Sequence, residues 1–228
     1  MTYNIEGQAA LIHRDHSRKI GRVIRDAQAD VVGLQEVHRG TWQARFRDQF
    51  AEIEDASGMQ AYFGRSFGDE HRAYGNAILT RGRVEEHHIE ALPGRGEPRS
   101  MFAATMDVDG VRLHAYVTHL AAWGRFGASK RLKQAEAVAQ FATQSTLPFV
   151  LMGDFNSGPT SPELRVFHDG KFVASCFTAD VITHRATRQC LDYIFVDPAW
   201  EIRDARVLEH GPSDHWPLVV ELERTAEV

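Results

Sequence analysis

The sequence predicts an α+β fold in which two β-sheets pack face to face and helices cover both outer faces. Three observations predict it. Many short apolar runs have strand composition, a few intervening segments have helical spacing, and 228 residues suffice to bury such a core. We therefore expect a four-layer α/β/β/α sandwich, formed by residues 1–228 as a single domain.

The first third of the chain predicts a strand, a helix and a second strand. Residues 2–5 resemble a short strand, and the segment after them places Ile20, Val23 and Ile24 at helical spacing. Residues 31–34 form a continuous apolar run, as in a strand buried on both faces, and the run is followed by Gln35 and Glu36. A carboxylate is thus expected at the end of this strand.

An aromatic segment follows, in which Trp42, Phe46, Phe50 and Ile53 recur at the spacing of one helix face. A helix packed against a sheet is the simpler interpretation of this spacing. The alternative is a platform on which bases stack. We expect these side chains to lie in the core.

Further strands and one long helix are predicted in the rest of the chain. Asp109 and Gly110 form a tight-turn signal that predicts a hairpin. A helix is expected over residues 129–144 and a buried strand over residues 149–152. The other expected strands cover residues 61–63, 77–80, 101–108, 111–118, 191–196, 202–208 and 217–222.

Composition restricts the class of protein. The net charge of −5 argues against a broad surface for nonspecific duplex binding. Cys176 and Cys190 are the only cysteines, too few for a disulfide framework or a four-thiolate zinc site. With no apolar run of membrane-spanning length and no signal peptide, the expected location is cytoplasmic. Because Met1 directly precedes a strand-like segment, a natural start upstream is left open.

Polar clusters follow or interrupt the strand-like runs. Asp154 and Asn156 come directly after the buried run at 149–152, although an ordinary Asp/Asn turn would explain them if they stood alone. Asp192 lies inside an apolar strand, where its burial requires a partner such as a histidine. Asp214 and His215 precede the final strand, and His119 ends the predicted hairpin. Each signal is weak by itself.

Taken together, these clusters resemble the endonuclease/exonuclease/phosphatase superfamily, and the resemblance spans essentially the whole chain. The resemblance implies a sandwich of two mixed sheets with the active site between them at one end. The motifs that carry it are Tyr3-Asn4-Ile5, Leu34-Gln35-Glu36-Val37, Tyr74-Gly75-Asn76-Ala77, Thr118-His119-Leu120, Gly153-Asp154-Phe155-Asn156, Leu191-Asp192-Tyr193-Ile194 and Ser213-Asp214-His215-Trp216-Pro217-Leu218.

The resemblance also implies a metal site and a phosphate site. Glu36 corresponds to a direct metal ligand, Asn4 to a residue near the metal, and Asp214 to a carboxylate at or near it. Mg²⁺ or Mn²⁺ suits such oxygen ligands. The chain departs from the motifs of the family at two positions, and the first of them is Glu6. Glu6 stands where several DNA-cleaving relatives have a metal-binding Asp, so it is either a longer ligand or an exposed residue.

Catalytic roles follow from the same resemblance. Asp154 matches the residue that orients or deprotonates the attacking water, and Asn156 and His119 match groups that hold the phosphate. His215 matches a donor to the transition state, oriented by Asp192. Such groups suffice because phosphoryl transfer requires mainly positioning and charge stabilisation.

The second departure concerns Asn76. No carboxylate stands there to pair with His119, so Asn76 is expected to contact His119 or the phosphate. Arg99 is a further candidate for substrate binding within a basic rim, for which a solvated surface is the alternative. The rim also includes Arg95, Arg125, Lys130, Arg131 and Lys133.

The expected partner is a phosphate-ester substrate, with nucleic acid as one candidate and no obligate protein partner evident. We expect hydrolysis of a phosphodiester by in-line attack of an activated water. The alternatives are a phosphomonoesterase acting on a sugar, inositol or lipid headgroup, and a non-catalytic binding module that keeps the fold.

Overall fold

Two mixed β-sheets pack against each other between two layers of helices. The structure is a computed structural model that describes residues 1–122, 127–167, 172–174 and 181–225. Among these residues each sheet has six strands. The α/β/β/α sandwich predicted from the sequence is confirmed. Cys176 and Arg125 lie outside the described residues.

The first sheet contains the first and the last described strands of the chain. Its strands are β1 (Thr2–Asn4), β2 (Val31–Arg39), β3 (Gln60–Gly68), β4 (Ala73–Thr80), β11 (Trp200–Val207) and β12 (Leu218–Arg224). Their spatial order is β11-β12-β1-β2-β4-β3, and β1 and β2 are parallel. The outer face of this sheet packs against α1 (His16–Ala27) and α2 (Gln49–Ser57).

The second sheet carries most of the predicted catalytic residues. Its strands are β5 (Arg83–Ala91), β6 (Ser100–Val108), β7 (Val111–His119), β8 (Phe149–Asp154), β9 (Val173–Ala174) and β10 (Asp192–Val196). Their spatial order is β5-β6-β7-β8-β10-β9, so that β9 lies at the edge. The predicted hairpin is confirmed, since β6 and β7 pair on either side of Asp109 and Gly110, both at positive φ. Helices α3 (Gly127–Ala142) and α4 (Pro162–Arg165) cover the outer face.

The two sheets approach closely, and small residues make this possible. The side chains of Phe102, Ile194 and Leu218 are fully buried between the sheets. A Cβ atom added to Gly64 would lie 2.4 Å from the Phe102 ring. The absence of a side chain on β3 therefore lets this ring pack against the strand.

The prediction that Trp42 and Phe46 lie in the core is wrong. Trp42 is 61% exposed and Phe46 is 64% exposed, whereas Ile53 is buried. A short 3₁₀ helix, Trp42–Ala44, ends in two left-handed residues, and α2 then begins at an independent cap formed by Asp48. Because the helix is interrupted, the aromatic residues do not share one face.

Strand β5 was not expected from the sequence. It lies at the edge of the second sheet, and most of its side chains are exposed, so it lacks the apolar pattern that predicts a strand. The described part of the chain contains no helix that is both long and apolar enough to cross a membrane.

Arg131 is buried rather than part of a solvated basic rim. It is 8% exposed, and its Nε donates to Glu163 Oε1 at 3.2 Å and to Ser157 Oγ at 3.1 Å. Its Nη1 donates to the backbone oxygens of Ala121 and Ala122. One side chain of α3 thereby connects α4 with the loops that follow β7 and β8.

Arg131→Met is expected to lower the free energy of unfolding by about 3 kcal/mol, because the Glu163 carboxylate would stay buried without its partner. Urea unfolding would measure this loss. Lys133→Met, an exposed position on the same helix, is the control and should change little. A double variant with Glu163→Leu should recover part of the loss, and an Arg131→Met protein as stable as wild type would contradict the structural role.

Candidate active site

Strand register brings three of the predicted catalytic residues side by side. His119 ends β7, Asp154 ends β8, and Asp192 begins β10. In the pairing of these strands, Asp154 lies opposite His119 on one side and opposite Asp192 on the other. The row lies at one end of the sandwich, where the sequence predicted the site.

Asp154 is the centre of this row and is almost completely buried. Its Oδ1 accepts a hydrogen bond of 2.8 Å from the Asn156 backbone N–H, and its Oδ2 accepts one of 2.9 Å from Asn4 Nδ2. Burial, followed by the charge of Asp192, raises the pKa of Asp154 to about 6, against the opposing effects of His215 and these hydrogen bonds. The carboxylate is oriented at both oxygens and remains a usable base near neutral pH.

His215 and Asp192 form the predicted pair across the site. His215 Nδ1 donates to Asp192 Oδ2 at 2.8 Å, and His215 Nε2 lies 3.8 Å from Asp154 Oδ2. Burial alone would lower the pKa of His215, but the charges of Asp192 and Asp154 outweigh it and raise this pKa to about 10. The ring is therefore a cation at neutral pH.

Thr183, which the sequence analysis did not single out, holds Asp192 in place. Its hydroxyl oxygen accepts hydrogen bonds from the backbone N–H groups of Leu191 and Asp192, at 2.9 and 3.1 Å. Thr183 is fully buried. A threonine in a loop gives no sequence signal for this function.

His119 and Asn156 contact each other. Asn156 Nδ2 donates to His119 Nε2 at 3.0 Å and to the Leu120 oxygen at 3.2 Å. Burial, Arg99 and His215 hold the pKa of His119 well below its usual range. His119 is thus neutral with its proton on Nδ1, an atom without a hydrogen-bond partner among the described residues.

Glu36 comes from the first sheet and reaches the site through a backbone irregularity. The pairing of β2 with β4 shifts between Leu34 and Val37, and Glu36 has a left-handed φ of 63°. Its Oε1 accepts a hydrogen bond of 3.3 Å from Asn4 Nδ2, the same nitrogen that donates to Asp154. Burial and the Asp154 charge raise the pKa of Glu36 to about 7, although the hydrogen bond from Asn4 opposes this.

Asp214 contacts a second acidic residue and a histidine that the sequence analysis missed. Its backbone N–H donates to Glu6 Oε2 at 3.0 Å, and its Oδ2 lies 3.5 Å from His184 Nε2. The sequence left open whether Glu6 is a ligand or simply an exposed residue. Glu6 is partly buried, which argues against the second alternative. His184 lay in a polar loop with no neighbouring motif, which is why its sequence gave no signal.

The carboxylates fit a divalent cation better than the histidines do. Two groups have metal-ligand spacing, His184 with Asp214 and His215, and Asp154 with Asp192 and His215. Both contain His215, whose Nδ1 already donates to Asp192, and a protonated ring must lose its proton before it can bind a cation. Glu36 belongs to neither group, but Glu36 and Asp214 offer carboxylate oxygens of the kind that a hard cation prefers, and a nearby cation would offset the burial and the Asp154 charge that raise the pKa of Glu36.

Asn76 and Arg99 differ in how they relate to the site. Asn76 does not contact His119; its Nδ2 donates to the Ser100 and Val117 oxygens, because it faces the second sheet from the inner side of β4. Arg99 is 8% exposed and pairs with Glu97 at 2.7 Å. Its Nε and Nη1 have no hydrogen-bond partner among the described residues, and its charge acts on Glu36 and His119.

Comparison with protein families gives one match. The model of the Endonuclease/Exonuclease/phosphatase family matches residues 1–215. This range contains all the site residues described above. A search of curated proteins found no match.

Solved structures share the fold. The catalytic domain of human Nocturnin with a bound sulfate anion is 23% identical, with a TM-score of 0.76, and 98% of this chain and 93% of that chain are covered. The endonuclease/exonuclease/phosphatase from Bacteroides vulgatus is 22% identical, with a TM-score of 0.80 and coverage of 98% and 97%. The mannosyl-6-phosphatase of Bacteroides thetaiotaomicron is 19% identical, with a TM-score of 0.77 and coverage of 97% and 98%.

Glu36→Gln should stabilise the metal-free protein at pH 8. Below the ordinary pKa of 4.5 the Glu36 carboxyl is protonated whether the chain is folded or not, whereas above about pH 7 folding buries its charge. The increase in melting temperature should therefore shrink from pH 8 to pH 5. Added Mg²⁺ should stabilise wild type but not the variant. A variant that melts below metal-free wild type at pH 8 would contradict the assignment.

Asp192→Asn and His215→Ala should each reduce kcat by about a hundredfold, since loss of one preorganised donor removes about 3 kcal/mol of transition-state stabilisation. The two residues act as one unit, so the double variant should be little worse than the worse single variant. Kinetics of the four proteins would measure this. Fully additive losses would mean that the residues act separately.

Proposed function

The chain belongs to the endonuclease/exonuclease/phosphatase family, and from that premise we propose that it hydrolyses a phosphodiester with Mg²⁺ or Mn²⁺ as cofactor. Nucleic acid is a candidate substrate. As a phosphoric ester hydrolase by family, the chain is an enzyme, so the non-catalytic alternative is set aside. The alternative of a monoester substrate is kept and is separated by the experiment below.

The observation that carries the proposal is the set of contacts around Asp154 Oδ2. Asn4 donates to this oxygen at 2.9 Å, and the ring nitrogens of His119 and His215 lie at 3.5 and 3.8 Å. With a pKa of about 6, Asp154 is mostly ionised at neutral pH and still basic enough to take a proton from water. We assign it the activation of the attacking water.

The groups on the other side of Asp154 suit the phosphoryl oxygens. His215 is a cation that offers Nε2–H, since Asp192 occupies its Nδ1. Asn156 donates its two side-chain N–H groups to His119 and Leu120 and so orients the His119 ring, and Arg99 brings a guanidinium whose Nε and Nη1 have no hydrogen-bond partner among the described residues. Positive charge held in place before the reaction stabilises the negative charge that develops on the phosphate.

Glu36 and Asp214 are the residues proposed to hold the cation, with Asn4 keeping Glu36 and Asp154 at a fixed distance from each other. A bound divalent cation supplies charge neutralisation at a phosphoryl oxygen and makes water more acidic. Asn4 is accordingly a positioning residue, since its Nδ2 donates to both carboxylates.

Hydrolysis of bis(4-nitrophenyl) phosphate should require Mg²⁺ or Mn²⁺ and should stop when EDTA exceeds the metal. Asp154→Asn should lower kcat by at least about a hundredfold, because the neutral amide cannot accept the proton of the water. Release of nitrophenolate measures both effects.

The matched comparison is 4-nitrophenyl phosphate under the same conditions. A higher kcat/KM for the diester supports the phosphodiesterase, and a higher value for the monoester favours the alternative. Full turnover in excess EDTA would refute the metal mechanism, and Asp154→Asn protein with wild-type kcat would refute the assignment of the base.

A further inference from the structure

A cavity of about 440 Å³ lies beside Met1, at the end of β1 away from the catalytic row. One side wall is formed by residues 27–31, where the chain leaves α1 and enters β2, and the other by residues 219–222 of β12. The inner wall belongs to the second sheet and is apolar, with Leu113, Val150 and Met152 among its side chains. The cavity therefore lies between two strands of the first sheet.

Strand β1 is shorter than both strands beside it. It has 3 residues, whereas β2 has 9 and β12 has 7. Strand β12 pairs with β11 from Leu218 to Arg224, but it pairs with β1 only at Leu218, opposite Thr2. If this antiparallel register continued, the three positions before Met1 would lie opposite residues 220–222, which line the cavity.

Met1 already makes the backbone hydrogen bonds of a residue inside a strand. Its nitrogen donates to the Val31 oxygen at 2.9 Å, and its oxygen accepts from the Gly33 N–H at 2.9 Å. Parallel strands are joined by bonds of this kind. Burial lowers the pKa of the Met1 amine to about 5, against the opposing charge of Asp30. A peptide N–H in its place would keep the bond to Val31 and would bury no charge.

The side chains of β1 alternate between the two faces of the sheet. Met1 and Tyr3 pack in the cluster that includes α1, whereas Asn4 faces the second sheet and donates to Asp154. The same alternation would direct the first and third positions before Met1 at the second sheet. Their side chains would meet Val150 and Met152 in the inner wall of the cavity, so apolar residues fit there.

We propose that the cavity is a slot for an extended segment joined to the Met1 nitrogen, which continues β1 between β12 and β2 and places apolar side chains at its first and third positions. The joined segment is the occupant because the Met1 nitrogen lies in strand register at the slot. Since β1 carries Asn4, which donates to Glu36 and Asp154, such a segment would also anchor the strand that positions both carboxylates. The inference does not depend on the proposed function.

The test joins Val-Thr-Val to the amino end of the chain, behind a new initiator methionine, and measures thermal unfolding. The melting temperature should rise by at least about 4 °C, because two valine side chains become buried. The matched control is Asn-Thr-Asn at the same place, which has the same length and side chains of similar size but is polar at both inward positions. It should raise the melting temperature by less than about 1 °C.

A second measurement locates the segment. In the Val-Thr-Val protein, the valine directly before Met1 should show nuclear Overhauser contacts to the Met152 methyl group. An equal shift from both extensions, no shift from Val-Thr-Val, or a valine without these contacts would overturn the inference. The free peptide acetyl-Val-Thr-Val-amide, added to the 228-residue protein, should stabilise it far less, because a joined segment has a much higher effective concentration. Equal stabilisation by the free peptide would instead assign the slot to a separate partner strand and overturn the joined segment.

Discussion

Two aspartates, Asp154 and Asp192, lie opposite each other on neighbouring strands, and both are almost completely buried. Two adjacent buried carboxylates can remain ionised only if a positive charge offsets their repulsion and desolvation. In this protein the protonated ring of His215 supplies that charge, since it bonds to Asp192 and approaches Asp154. The other groups of the site are arranged around this balance between the positive His215 ring and the two buried aspartates.

The site also depends on contacts between the two sheets. Asn4, on the first sheet, donates to Asp154 on the second, and it donates to Glu36 on its own sheet. Ser213 joins the last segment to this centre, because its hydroxyl donates to the Asn4 oxygen and accepts from the His215 backbone N–H. The packing of the two sheets therefore also brings the charged groups of the site together.

The sequence predicted the layers and most strands because buried strands such as β8 are written as continuous apolar runs. Motifs beside such runs also pointed to Asp154, Asp192 and His215, which the structure brings together. The tertiary contact between Asp192 and His215 was predicted from the resemblance, but other contacts set by tertiary packing were not. Thr183 and His184 lie in a loop and contact Asp192 and Asp214 only in the folded chain. Asn76 faces the opposite sheet rather than His119.

Other differences arise where local capping interrupts a periodic pattern, as at Asp48, whose cap starts α2 and leaves Phe46 exposed.

The whole site depends on the charge of His215, which is a cation because Asp192 and Asp154 face it. The most direct measurement is an NMR titration of the His215 ring in metal-free wild-type protein. The ring should stay protonated from pH 6 through pH 8, in keeping with a pKa of about 10. A ring that is neutral at pH 7 would contradict the account.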